Sequence, residues 1–225
     1  MSHQRRTEPT TLDEQLTQLI RHGRDREAAV LATQRLATHT QGDLMDPRKQ
    51  LDEILPRLNA LVGSLSDTQL DAPTACSKFA VRDILQHMIG GATSFAGAFR
   101  GEAPLDRSGE TDLVATFPKA MADLQQAVHS RGALDRTIAA PWGDVPADAF
   151  ARFAALDGLV HGWDIATATG KPYEPPAALV AEIDAFSRQA ISEQMRDGDT
   201  FADPVEPPDG ASALTQLVAF TGRQV

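Results

Sequence analysis

Between residues 147 and 169 apolar side chains recur every three or four positions, and three ionisable residues fall into the same rhythm. Phe150, Phe153, Ala154, Asp157, Val160, His161, Asp164, Ile165 and Ala168 share one face of a helix there. Burying a carboxylate alone is costly, so each acidic group on such a stripe must find a partner or a proton. Asp157 and His161 are one turn apart and point the same way. That spacing lets one helix offer two ligands to a single ion, as His-x-x-x-His does in zinc enzymes; it also suits a plain Asp/His ion pair. Gly170 and Pro172 close the segment.

Five other segments beyond residue 45 carry the helical period. Asp46 and Pro47 form a cap and first turn for a helix reaching Leu65, with Pro56 marking a kink or a later start. Further helices are expected over 80–99, 113–131 and 176–195, and a short one over 211–221. Between the third and fourth long helices, DRTIAAPWGDV places a β-branched pair before a Pro-Trp-Gly-Asp turn, which suggests a hairpin. The expected fold is therefore all-α: a four-helix bundle with a short hairpin before its last helix. Residues 11–22 and 24–39 read as two short helices, so 1–45 is an N-terminal helical extension and 46–225 the bundle domain with a C-terminal tail.

His87 lies on the edge of the apolar face of the 80–99 segment and is the third candidate ligand. By itself it reads as an ordinary half-buried histidine; beside Asp157 and His161 it reads as a ligand. Gly90 and Gly91 accompany it, and Gly158 and Gly162 interleave with the other two candidates. Mid-helix glycines cost about 1 kcal/mol each relative to alanine, so they suggest a close backbone approach. The expectation is that the two helices are drawn together around an ion. Asp164 reads as a hydrogen-bond acceptor behind a ligating histidine, and His129 as a helix-end cation favoured by the dipole. Cys76 and Trp163 read as packing residues, and Trp142 belongs to the turn before the fourth helix.

Composition narrows the chemistry. One cysteine permits no internal disulfide and no cysteine-rich zinc site, so a metal must be held by histidine and carboxylate. A formal charge of −10 argues against a nucleic-acid partner. The imbalance lies beyond residue 50: residues 1–50 hold 8 basic and 7 acidic groups, leaving 13 of the 21 basic and 24 of the 31 acidic groups for 51–225. No apolar run reaches the ~20 residues of a membrane helix, and the polar start lacks a signal peptide's apolar core. A cytoplasmic location is expected.

The segments TACSKFAVRDILQHMIGG (74–91) and ALDGLVHGWDIATATG (155–170) resemble the two signature stretches of the DinB-like metal-binding superfamily. The nearer resemblance is to the branch with the mycothiol-dependent maleylpyruvate isomerase N-terminal fold. The tail FADPVEPPDGASALTQLVAFTGR is similar to the end of that branch, and the likeness covers about 46–223. It implies a four-helix bundle with a divalent metal at one end, held by His87, Asp157 and His161. The isomerase has glutamate at position 157, so aspartate here is a methylene shorter, and Phe79 replaces the usual tryptophan.

Three protein ligands leave a coordination position open, the pattern of a catalytic site. Zinc is the first expectation from the donor set, with nickel and iron as alternatives. The resemblance implies a low-molecular-weight thiol such as mycothiol as co-substrate and an electrophile as its target, hence a transferase or isomerase. The alternative is a non-catalytic binding or regulatory bundle acting through residues 1–45; a homodimer is an open expectation for either.

Overall fold

The computed structural model describes residues 45–225, save 77, 78, 108, 141, 142, 197 and 199. The two helices expected over 11–22 and 24–39 lie outside the described residues, as does Trp142. Four long helices form the bundle: α1 (Pro47–Gly63), α2 (Val81–Arg100), α3 (Leu113–Val128) and α4 (Ala147–Thr169). The antiparallel pair β1 (Thr137–Ala140) and β2 (Gly143–Pro146) precedes α4, with Ile138 opposite Val145. Two further helices follow, α5 (Ala177–Ala190) and α6 (Ala213–Phe220). No helix among the described residues is long and apolar enough to cross a membrane.

Local chemistry explains the ends. The Asp46 carboxylate accepts from the Arg48 backbone N–H and caps α1, which then runs unbroken through Pro56. Asp112 caps α3 by accepting from Ala115 N–H. Gly101 and Gly170 end α2 and α4 in the left-handed conformation that a glycine adopts without strain. The fifth helix stops at Ala190, short of the expected 195; only a single 3₁₀ turn, Glu193–Met195, follows.

Cross-helix contacts give the bundle its topology. Arg152 Nη1 donates to the Met45 carbonyl and Gln69 Nε2 to that of Thr169, so α1 and α4 run parallel. Asp52 near the start of α1 meets Gln125 and His129 at the end of α3, so those two are antiparallel. Arg100 at the end of α2 bonds Asp123 near the end of α3, which makes α2 and α3 parallel. The order is up, down, down, up, with α1 flanked by α3 and α4, and α2 flanked by the same two. Two parallel neighbours need a returning connection. Residues 101–112 can span up to about 40 Å when extended, against about 24 Å for a helix of α3's length. That loop folds back on α2 at Gly97, where a Cβ would lie 2.9 Å from the Glu102 carbonyl oxygen.

Helix α4 is the central element. It touches α1 and α2 within the bundle and α5 and α6 outside it, and sixteen of its 23 residues are buried. The stripe visible in the sequence is therefore one side of a helix covered nearly all round. Phe153 against Phe186 joins α4 to α5, with ring centroids 5.1 Å apart. The tail returns as a strap: Ala202 N–H donates to Thr221 and Val205 N–H to Ala219. Arg188 and Arg196 both lie over the Phe220 ring.

Candidate metal centre

Because α2 and α4 are antiparallel neighbours, residue 87 on one falls level with residues 157–161 on the other. His87 Nε2 lies 3.3 Å from Asp157 Oδ1. His161 Nε2 lies 3.5 Å from the same oxygen. The two imidazoles meet edge to face, 4.9 Å between centroids. All three donor atoms lie within 4.8 Å of one another. In a tetrahedral site with metal–ligand bonds of about 2.0–2.1 Å, neighbouring donors stand about 3.3 Å apart. Two of the three separations match that edge, so the shorter aspartate reaches both imidazoles.

Behind the donors sits a buried anchor. Asp164 is fully buried, and its Oδ2 accepts from His161 Nδ1 at 3.0 Å. With an ion on Nε2, that bond would hold the ring proton on Nδ1, the arrangement a metal-bound histidine needs. Arg223 Nη2 donates to the same Asp164 oxygen at 3.1 Å, and its Nε to the other at 3.4 Å. A buried carboxylate is thus paired with a guanidinium from the tail as well as an imidazole from its own helix.

The electrostatics follow from these contacts. The hydrogen bond to Asp157 holds the His87 pKa above its ordinary value, against burial and the charge of Arg223. Burial pushes Asp157 up, but the charge of His161 and the bond to His87 outweigh it, so its carboxyl lies below the usual range. The trio is graded in exposure: His87 faces solvent, Asp157 is half-buried and His161 buried. The open side of an ion held here is therefore the His87 side, where Phe79 stands 6.0 Å from the imidazole.

The structure brings together the three residues that the sequence singles out and places Asp164 where an orienting acceptor was expected. It corrects the reading of the glycines. A Cβ on Gly90 or Gly91 would meet nothing within 4 Å, so neither marks a close approach. Gly158 admits Ile54 of α1, at 2.8 Å from an added Cβ, and Gly162 admits the Tyr173 ring, which an added Cβ would overlap. Both glycines of α4 therefore serve its packing against α1 and the loop beyond it rather than its approach to α2. Tyr173, whose hydroxyl donates to the Gly158 carbonyl, has its pKa raised by burial. Helix α3 ends at Val128, short of the expected 131, with His129 at its C-cap position and the imidazole bonded to Asp52. Arg223 escaped the sequence reading; the one signal was its place at the end of the tail segment, where an arginine has no periodicity to mark it.

The profile of the mycothiol maleylpyruvate isomerase N-terminal domain family matches residues 51–166, a span that contains all three donors. The chain belongs to this family. Two uncharacterized proteins of Mycobacterium tuberculosis, from strains CDC 1551 and H37Rv, are each 31% identical over 183 residues. That alignment covers 80% of this chain and 100% of each relative. No solved structure matches the chain at a significant level.

Proposed function

We propose that the chain holds one divalent ion between His87, Asp157 and His161 and uses it in thiol-dependent transfer or isomerisation chemistry. The observation that carries this reading is the convergence of three donors backed by the Asp164 bond to His161. Zinc fits the two imidazoles and one carboxylate best, with nickel and iron as alternatives. Such an ion, with a fourth position open, lowers the pKa of a thiol so that its sulfur can attack an electrophilic carbon. The family's name supports mycothiol as that thiol.

The protein's own groups have separable tasks. Asp164 keeps the His161 proton on Nδ1, and Arg223 balances the buried negative charge. Asp157 brings the anionic ligand that offsets the ion's charge. The exposed His87 side admits the thiol, and the thiol proton passes to solvent there.

Elemental analysis of the purified full chain, with and without His161→Ala, tests the ligand set; about one equivalent of metal is expected only with His161 present. Metal-loaded protein mixed with a low-molecular-weight thiol and a generic electrophile tests the chemistry. A rate unchanged by His161→Ala overturns the thiol reading.

A further inference from the structure

The donor cluster is backed by the end of the chain. Asp164 of α4 accepts from the His161 ring at Oδ2 and from the Arg223 guanidinium at both oxygens. One fully buried carboxylate therefore joins a donor imidazole to a residue 59 positions further along. The three donors stand on the bundle helices α2 and α4, whereas Arg223 lies beyond the last helix, α6. The tail thus has a bonded line to the site.

What holds the tail in place is local to it. Residues 201–210 are mostly exposed. Ala202 and Val205 donate to the Thr221 and Ala219 carbonyls, and the Arg196 guanidinium donates to those of Ala202 and Phe220. Arg188 and Arg196 lie 4.6 and 4.7 Å from the centre of the Phe220 ring. Gly222 has a φ of 96°, and a Cβ added there would overlap Ala202. This tight contact immediately precedes Arg223, so the guanidinium reaches Asp164 only while the strap is closed. Segments with exposed backbone bonds and few buried apolar contacts open without unfolding the rest. Leu217 and Val218 keep α6 itself in the core, so opening can be confined to the strap and the last residues.

An open strap would leave Asp164 with the imidazole alone and admit water to its oxygens. A carboxylate competed for by water holds a ring less firmly than a buried one fixed from both sides. An ion on His161 Nε2 would make that ring a stronger donor, and so would favour the state in which Asp164 is fixed. Arg223 and the ion are like charges; the carboxylates of Asp157 and Asp164 offset that repulsion. Resting on the proposed metal centre, we infer that the tail is a clasp coupled to metal occupancy. A divalent ion between His87, Asp157 and His161 tightens the docking of residues 201–223. Opening of the clasp loosens the ion by the same factor, because linkage between two binding events is reciprocal.

Hydrogen exchange of the full chain, with and without zinc, reads the coupling from the tail. Zinc should slow exchange about tenfold, within the ordinary range of coupling factors, at Ala202, Val205 and Arg223. Their amides donate to Thr221, Ala219 and Val218 and report the closed clasp. In Arg223→Gln that slowing should vanish while α2 and α4 remain protected by zinc. Calorimetric titration reads the coupling from the metal. The double variant Phe220→Ala/Arg196→Gln removes the ring stack and both carbonyl bonds without touching a donor or Asp164. It should weaken zinc about tenfold, and adding Arg223→Gln should cost nothing further, since the guanidinium has already left Asp164. If the double variant does not fold, the exchange arm decides alone. Zinc protection of the bundle with no slowing in the tail overturns the clasp and leaves the metal centre standing. Losses that multiply when Arg223→Gln is added do the same. Zinc binding that is absent, or unchanged by His161→Ala, overturns both.

Discussion

Among the described residues, two histidine–carboxylate clusters have similar composition and different construction. On α1 and α3, His129 Nε2 pairs with Asp52 at 2.9 Å, and Gln125 shares the same oxygen. On α2 and α4, His87 and His161 share Asp157. The first pair lies in solvent, and nothing buried stands behind its imidazole among the contacts it makes. The second has His161 buried and fixed through Asp164 to Arg223. Composition does not separate them; the buried anchor does. An exposed ion pair is worth roughly 0–1 kcal/mol because water competes for both partners. A histidine whose proton position and ring orientation are set from behind is prepared for an ion before the ion arrives.

Mutations in the two clusters should separate them sharply. The largest effect is expected from His161→Ala, which should weaken zinc binding by about a hundredfold or more, beyond the 10–100-fold typical of outer hydrogen-bond partners. His129→Ala, measured alongside by calorimetric titration, should leave zinc affinity unchanged; equal losses in both would erase the distinction. Next come Asp164→Asn and Arg223→Gln, each expected to cost about 10–100-fold in affinity without touching a donor atom. Nitrogen NMR of the His161 ring should show the proton no longer confined to Nδ1 in Asp164→Asn; an unaltered ring would remove the anchor from the argument.

The glycines permit a smaller contrast, read in stability. Gly162→Ala drives a methyl into the Tyr173 ring and should destabilise by about 1–3 kcal/mol. Gly90→Ala, in an exposed helical position with nothing near the new methyl, should stabilise by about 0.5–1 kcal/mol. Urea denaturation of both variants checks the sign. His129→Ala should have the smallest effect, at most about 1 kcal/mol of stability.

Much of this was legible in the amino-acid order. The bounds of α4, Ala147–Thr169, follow from its apolar period and from Gly170. The hairpin follows from its turn residues, and Asp157 and His161 stand out as polar groups on an apolar stripe, with His87 singled out only beside them. The glycine reading failed for a definite reason: a missing Cβ reports that something approaches, or that nothing selects against it, without naming the neighbour. Arg223 was invisible because a tail arginine carries no period, and its partner is 59 residues away.

Side-chain periodicity, caps and turn chemistry are local, so the chain by itself determined which segments are helical, where most of them begin, and that histidine and carboxylate are the available ligands. Which surface covers each face is a long-range question, and only the tertiary structure decided it. The up-down-down-up order sets α2 antiparallel to α4 and so brings His87 level with Asp157. It also seats α1 on Gly158 and returns the tail to Asp164. Each of these depends on packing between segments far apart in sequence, which no local pattern encodes.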